Sequence, residues 1–321
     1  MPAVPHLHTA VHEPLLGTRV SIGVRAGSRR AAEAIEGCVV GEFQRLEALL
    51  SAYRPSSAWS RWRAGDDTAL TEEIVELLQR AAHWHHVSGG AFNPGAGVLR
   101  ARWMHAQSDG LLPTDAELAA SAHGIHALPY RLDGNSVVRT GDCRHLDLHA
   151  IAKGWIVDRA VTAGCADDTT VELLINAGGD LRHVGGRPIT VGIEDPRRPY
   201  DNAPPMVRVP LGDGALAGSS GARRPLVVNG ERFSHVLDPR TGRPVHHTVA
   251  ASALAVDACT ADVAATIVGV LPVRDALTWC EVTAGIECHL LDAHGREHTS
   301  SGWPQAHAGQ LRPPRRRSAP R

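Results

Sequence analysis

The sequence predicts an α/β protein (α+β mixed), with mixed sheets and packed helices in a single unit. Three features carry this expectation. Apolar residues alternate with period 2 in several short runs bounded by Gly, Pro and Asp, and between those runs they recur at helical spacing. No stretch has the composition of a linker that would divide the chain. Residues 146–182, LDLHAIAKGWIVDRAVTAGCADDTTVELLINAGGDLR, hold the pattern in one segment: polar loop, helix, short linker, buried strand and glycine turn. At 321 residues the chain can bury one large core or two intimate lobes.

Composition narrows the function classes. A hydrophobic share of 43% and a charged share of 21% are ordinary for a globular chain, and a net charge of −1 gives no pull toward nucleic acid or an anionic membrane. The six cysteines are scattered without a C-x-x-C pair, which argues against a zinc ribbon or a disulfide framework and for reduced thiols. The N-terminus has neither a basic region followed by an apolar run nor a cysteine to carry a lipid. No segment reads as a membrane span, so the cytoplasm is the expected location.

In order, residues 1–14 read as a loose polar tail, 15–302 as one domain and 303–321 as a Pro/Arg-rich disordered tail. Val20, Ile22 and Val24 fall on one face of a first strand. A helix is expected from Arg30 to Leu50, ending in a turn-rich loop that leads to Trp59 and Trp62. Ser51, Tyr53 and Ser57 in that loop either present hydroxyls to a ligand or include a helix-capping serine. Thr71 caps an amphipathic helix to Val87 that turns Ile74, Leu77, Leu78 and Ala81 inward. The glycine-rich stretch 88–97 permits close backbone approach but carries no nucleotide fingerprint. A short helix over 113–121 and a hairpin over 130–139 around Asp133-Gly134-Asn135 precede the central segment. Beyond it come strands over 189–193, 206–211 and 215–219, then a turn at 238–242 with Pro239 where φ near −65° is wanted. A strand over 249–256, helices over 261–271 and 274–284 and a strand over 286–291 complete the domain.

Four stretches hold residues able to do chemistry. Asp262 and Thr266 lie four apart on a helix and share a face, offering the hard oxygen donors that Mg²⁺ takes. Equally, Thr260 would cap that helix and Asp262 complement its dipole. Asp147 and Lys153 read as a helix cap and a solvated charge, or as a ligand acceptor and a cation facing phosphate or flavin, with the Ala150 carbonyl between them open to a metal. Asn176 to Asp180 is a hairpin turn or a place for a ligand to approach backbone. His235 is one of 19 histidines, and a lone strand histidine is more often structural than catalytic. H-E-x-x-H and G-x-S-x-G are absent, which removes support for zinc peptidases and α/β-hydrolases.

In combination and order these pieces resemble the ApbE-type FAD:protein FMN transferase (flavin transferase) family. The resemblance rests on Leu16-Gly17-Thr18, the loop from Ser51 to Ser60, Gly90 to Pro94, Asp147 to Gly154, Asn176 to Asp180, Ser220-Gly221, His235 to Gly242 and Thr260 to Thr266. It implies an ApbE-like fold with a cleft between two halves. It also implies an enzyme that splits the FAD pyrophosphate with Mg²⁺, joins FMN by a phosphoester to a Thr or Ser hydroxyl of an acceptor flavoprotein domain, and releases AMP. By position it implies the Ala150 carbonyl, Asp262 and Thr266 as Mg²⁺ ligands, with Ala265 beside them. Leu16, Tyr53, Ala91, Phe92, Asn93, Asp147, Lys153 and Val236 fall where the family contacts FAD. His235 falls where a histidine assists transfer, and Asp262 is the second catalytic group. Rival readings are hydrolysis of FAD to FMN and AMP, and a non-catalytic FAD-binding protein; the presence of both Asp262 and Thr266 weighs against the second. The chain departs from the family at Leu16 (usually Met), Asn93 (usually Asp), Arg63 (commonly Asn) and Ala222-Arg223 (usually acidic then aromatic).

Overall fold

The computed structural model describes residues 5–166, 169–198, 200, 202–221 and 225–304. In chain order the elements are β1 (His6–Leu15), β2 (Thr18–Ala26), α1 (Arg29–Leu50), α2 (Ala58–Ala64), α3 (Glu72–Val87), α4 (Gly97–Asp109), α5 (Asp115–Gly124), β3 (Tyr130–Asp133), β4 (Ser136–Arg139), α6 (His149–Gly164), β5 (Thr170–Ala177) and β6 (Asp180–Gly185). There follow β7 (Ile189–Ile193), β8 (Val207–Leu211), β9 (Gly214–Ser220), β10 (Leu226–Val228), β11 (Glu231–Phe233), β12 (Thr248–Ala255), α7 (Ala258–Val270), α8 (Val273–Val282), β13 (Glu287–Asp292) and β14 (Glu297–Thr299).

Eight strands form one sheet in the order β1-β2-β5-β6-β9-β12-β13-β14, and every neighbouring pair is antiparallel. Helices α1, α6 and α7 cover one face. Successive strand residues point to opposite faces, and β9 shows the result: Ala215 and Ala217 join the main core, whereas Leu216 packs with Ile193, Val209 and Trp303 on the other side. The β7–β8 hairpin closes that second face. Small residues at Ala215, Ala217, Ala251 and Ala253 let the buried, alanine-rich α7 lie close to β9 and β12. Among the described residues no helix is long and apolar enough to cross a membrane.

Two boundary expectations are corrected. Most of the supposed loose tail 1–14 is β1, the edge strand, paired with β2 from His6↔Ala26 onward. Its helix-facing positions are filled by histidine rather than aliphatic side chains: His8 and His12 both bind the Glu36 carboxylate on α1, the latter at 2.8 Å. A carboxylate from another element makes a polar face burial-competent, and no period in the strand itself reveals it. At the other end Trp303, placed in the tail by sequence, is buried; the expected disorder from residue 305 onward lies outside the described residues. Helix α4 and the short α2 are additional to the elements predicted from sequence.

Candidate active site

The site begins where α6 crosses α7. A Cβ built on Gly154 would lie 2.3 Å from the Ala258 carbonyl oxygen and 2.9 Å from Cys259 Cα, so glycine is required for the two helices to touch. Asp158, one turn on, accepts from Ala258 N and Cys259 N at 2.8 Å each, while Asp257 caps α7 by accepting from Thr260 N at 2.7 Å. Thr260 is therefore not the cap, and Asp262 does not face the helix start. Its carboxylate turns instead to Gly154 N at 3.2 Å. That N–H is the one whose regular helical acceptor is the Ala150 carbonyl.

Opposite stands Asp180, the first residue of β6 and 1% exposed, with Lys153 Nζ 2.9 Å from its Oδ2. Asp262 is 8% exposed. Burial pushes both carboxyl groups up, and for Asp262 the neighbouring Asp180 charge adds to the effect; Lys153 opposes it in both cases. Two buried carboxyls that share one ammonium hold either a shared proton or a further cation. Among the described residues no group of three or more His, Cys, Asp or Glu is arranged as a metal cluster. Mg²⁺, however, takes one or two carboxylates and completes its shell with neutral oxygens. The excess of buried negative charge and an all-oxygen donor set fit such an ion. Thr266, half-buried, lies one turn beyond Asp262, and Ala265, fully buried, contributes a methyl group that is no donor.

Two turns border this pair. Between β5 and β6, Gly178 and Gly179 have φ of +60° and +104°, and Asn176 Oδ1 accepts from Gly179 N at 3.0 Å. Between β1 and β2, Leu16 and Gly17 both have positive φ, 53° and 65°, an uncommon conformation for leucine. The turns are adjacent: Gly178 N donates to Arg19 O, and a Cβ on Gly178 would meet Thr18 Oγ1 at 2.5 Å.

At the start of α6 a cavity of about 300 Å³ is lined by Tyr53, Trp59, Arg63, Arg100, Asp147 and Ala152, among others. Tyr53 is 78% exposed, its ring 6.0 Å from that of His149. Burial works against ionisation of Asp147, but hydrogen bonding and charge from His149, with Arg100 behind, hold its carboxyl below the ordinary range. Arg63 lies over the Trp59 ring and donates to the carbonyls of Ala52, Arg144 and Leu146, so it ties two loops of the cavity wall together. Burial lowers its pKa.

The 88–97 loop joins the same region, since Asp147 N donates to Pro94 O at 2.7 Å. Ala91 and Phe92 are buried, which leaves their backbone as the part able to meet a ligand. Asn93 is a structural device here: Oδ1 accepts from Gly95 N at 2.7 Å and Nδ2 donates to Ile125 O at 2.8 Å. His235 is exposed, and Val236 packs on the main core. Ser234 beside them touches the end of β9, where a Cβ on Gly221 would lie 2.7 Å from Ser234 Oγ. The departure at Ala222-Arg223 lies outside the described residues.

The ApbE family profile matches residues 16–290. The chain belongs to the ApbE family. A protein of Vibrio cholerae serotype O1 named FAD:protein FMN transferase is 31% identical over 238 residues, covering 70% of this chain and 69% of its own. One of the same name from Treponema pallidum is 29% identical over 304 residues, covering 87% and 83%. The crystal structure of the ApbE protein from Thermotoga maritima superposes with a TM-score of 0.80 at 25% identity over 92% of this chain and 97% of that one. The flavin transferase ApbE from Vibrio cholerae, at TM-score 0.74 and 22% identity over 92% and 98%, shares the fold.

Within this ApbE-family site the structure brings Lys153, Asp180 and Asp262 together, and groups Tyr53 with Asp147 at the neighbouring cavity. Sequence reasoning named Asp180 only as the end of the Asn176–Asp180 turn, without a role for its side chain, and did not single out Asp158. For Asp180 a signal was present, an acidic residue directly after two glycines at the mouth of a buried strand. For Asp158, mid-helix in α6, there was none.

Proposed function

We propose that this ApbE-family enzyme is an FAD:protein FMN transferase, which moves FMN from FAD to a Thr or Ser hydroxyl of an acceptor flavoprotein domain and releases AMP, with Mg²⁺. The observation that carries the reading is the buried Asp180–Asp262 pair against Lys153, beside the positive-φ turn at Gly178 and Gly179. Phosphoryl transfer asks the protein for positioning and charge compensation more than for covalent chemistry. The acceptor oxygen attacks the phosphorus of the FMN half, the bond to the bridging oxygen breaks, and AMP departs with that oxygen and its electron pair. His235 takes the hydroxyl proton. Lys153 holds the phosphates by charge, while Asp147 and Tyr53 orient the rest of the dinucleotide and the backbone of Ala91 to Asn93, Leu16 and Val236 completes its contacts. Asp262, Thr266 and the Ala150 carbonyl would hold Mg²⁺, which when bound would offset charge on the pyrophosphate oxygens.

Incubation with FAD and Mg²⁺, with and without an acceptor flavoprotein domain, tests this by intact mass and nucleotide chromatography. The expected result is a mass gain of a single FMN on the acceptor with matching AMP, both lost in Asp262→Ala. FMN and AMP without acceptor labelling would mean hydrolysis, and unchanged bound FAD would mean a binding protein. His235→Ala is expected to keep FAD binding and lose transfer by about 100-fold or more; full transfer in that variant removes the histidine from the mechanism.

A further inference from the structure

A second cavity, of about 830 Å³, shares no lining residue with the one beside Tyr53; of the residues placed on FAD or the metal only Asn93 lies in its wall, and its side chain is held by Gly95 N and Ile125 O. It lies between the end of α3, which brings His85 and His86, the end of α5, which brings His123 and His126, and the 239–243 turn, which brings Arg240 and Arg243. We propose that this cavity is a binding site for a small phosphate-bearing anion of up to nucleotide size, held by these four imidazoles and two guanidinium groups.

The groups converge. A Cβ built on Gly90, in the cavity wall, would stand 3.8 Å from Arg240 Cγ and 3.9 Å from His85 Nε2, so the stem of Arg240 and the His85 ring meet beside a glycine, and the remaining groups line the same cavity. The volume lies in the range of small-ligand pockets, about 300–1,000 Å³. A metal is the obvious rival for four histidines, but among the described residues no such cluster is arranged for one.

Two helix C-termini point toward this region, and their carbonyls would repel an anion if left open. They are covered. Gly90 N donates to His85 O, Gly89 N to His86 O, Ser88 N to Trp84 O and His126 N to His123 O, while Asn93 Nδ2 takes Ile125 O. The carboxylate lining the cavity is Asp115, paired with Arg243, and Asp238 holds Arg240 through Nε and Nη2. A guanidinium has five N–H donors, so these pairings fix the arginines with part of their capacity in use. Burial, followed by the charges of His126 and His86, depresses the pKa of His85. An anion beside His85 offsets that repulsion, so binding draws a proton onto His85 and tightens as pH falls.

Calorimetric titration of the full chain with pyrophosphate, and with AMP, tests this without reference to flavin transfer. Binding is expected to be at least tenfold tighter at about pH 6 than at about pH 8, with proton uptake visible as a buffer-dependent enthalpy. His123→Gln/His126→Gln, both exposed positions, should weaken it at least tenfold while leaving FAD binding unchanged; His86→Gln serves if the double variant has a lowered melting point. Absence of binding, equal affinity at both pH values, unaltered affinity in the variants, or displacement of the anion by FAD would each overturn the proposal.

Discussion

Asn93 is the residue at which a departure from the family acquires a physical reason. Its amide spans Gly95 N and the Ile125 carbonyl, a task that needs one acceptor and one donor. An ionised aspartate would keep the first bond and set oxygen against oxygen in the second. Asn93→Asp is therefore expected to cost about 1–3 kcal/mol at neutral pH, read as a lower denaturant midpoint, with partial recovery at acidic pH where the carboxyl can donate. An unchanged midpoint would mean that the loop does not depend on the Ile125 bond. Lys153 supports a heavier consequence. Lys153→Met leaves Asp180 and Asp262 facing each other without their ammonium, and breaking a buried pair costs about 3–5 kcal/mol. The lysine is 31% exposed, so the lower end applies. Because burial raises both carboxyl pKa values, lowering the pH should restore stability to this variant more than to the native chain.

Helices α1 and α3 were readable because their apolar residues follow the helical period and Thr71 supplies a cap, which the structure bears out with Ile74 N donating to Thr71 Oγ1. The β3–β4 hairpin followed from its turn residues. Helix α4 was hidden by the glycines at its start: Gly97 is there because a Cβ would lie 2.1 Å from the His145 carbonyl oxygen, a tertiary reason that looks like a loop signal. For the candidate site the sequence offered four stretches by type and order, and the structure joins residues of three of them. The Lys153–Asp180–Asp262 contact joins three elements, and no spacing encodes it. The α6–α7 crossing can be probed directly. Gly154→Ala places a methyl against backbone that cannot rotate away, and about 1–3 kcal/mol or more is expected, with Asp262 displaced and activity lost. Asp158, on the same crossing, gives a pH signature. Burial raises its carboxyl from 3.8 to about 6 against the two N–H bonds it accepts. A raised folded-state pKa means that folding favours the protonated acid. Its contribution to stability is present at low pH and falls as pH rises from about 4 through about 6, by about 2–3 kcal/mol. The difference in stability between the native chain and Asp158→Asn should vary over that window and be flat above it; a flat difference throughout would place the pKa near its ordinary value.

Across the molecule, the proposed metal site is a junction rather than a loop feature. Its ligands Ala150 and Asp262 with Thr266 lie in α6 and α7, and Asp180, the carboxyl facing Asp262, stands at the head of β6 in the middle of the eight-stranded sheet. A ligand that binds only when all three elements are assembled stabilises the whole fold by RT ln(1 + [L]/Kd), about 2.7 kcal/mol at 100-fold over Kd. Mg²⁺ is thus expected to raise the melting temperature in a concentration-dependent way, more so with FAD present, and chelation should reverse the rise. Asp262→Asn removes one negative charge from the buried pair at little change in size, so two outcomes separate. It should be as stable as the native chain, or more so, without Mg²⁺, because the repulsion with Asp180 is gone, and it should lose the Mg²⁺-dependent increment. A native chain that gains nothing from Mg²⁺ at any concentration, while still melting cooperatively, would leave Lys153 and a shared proton as the balance for those carboxyls.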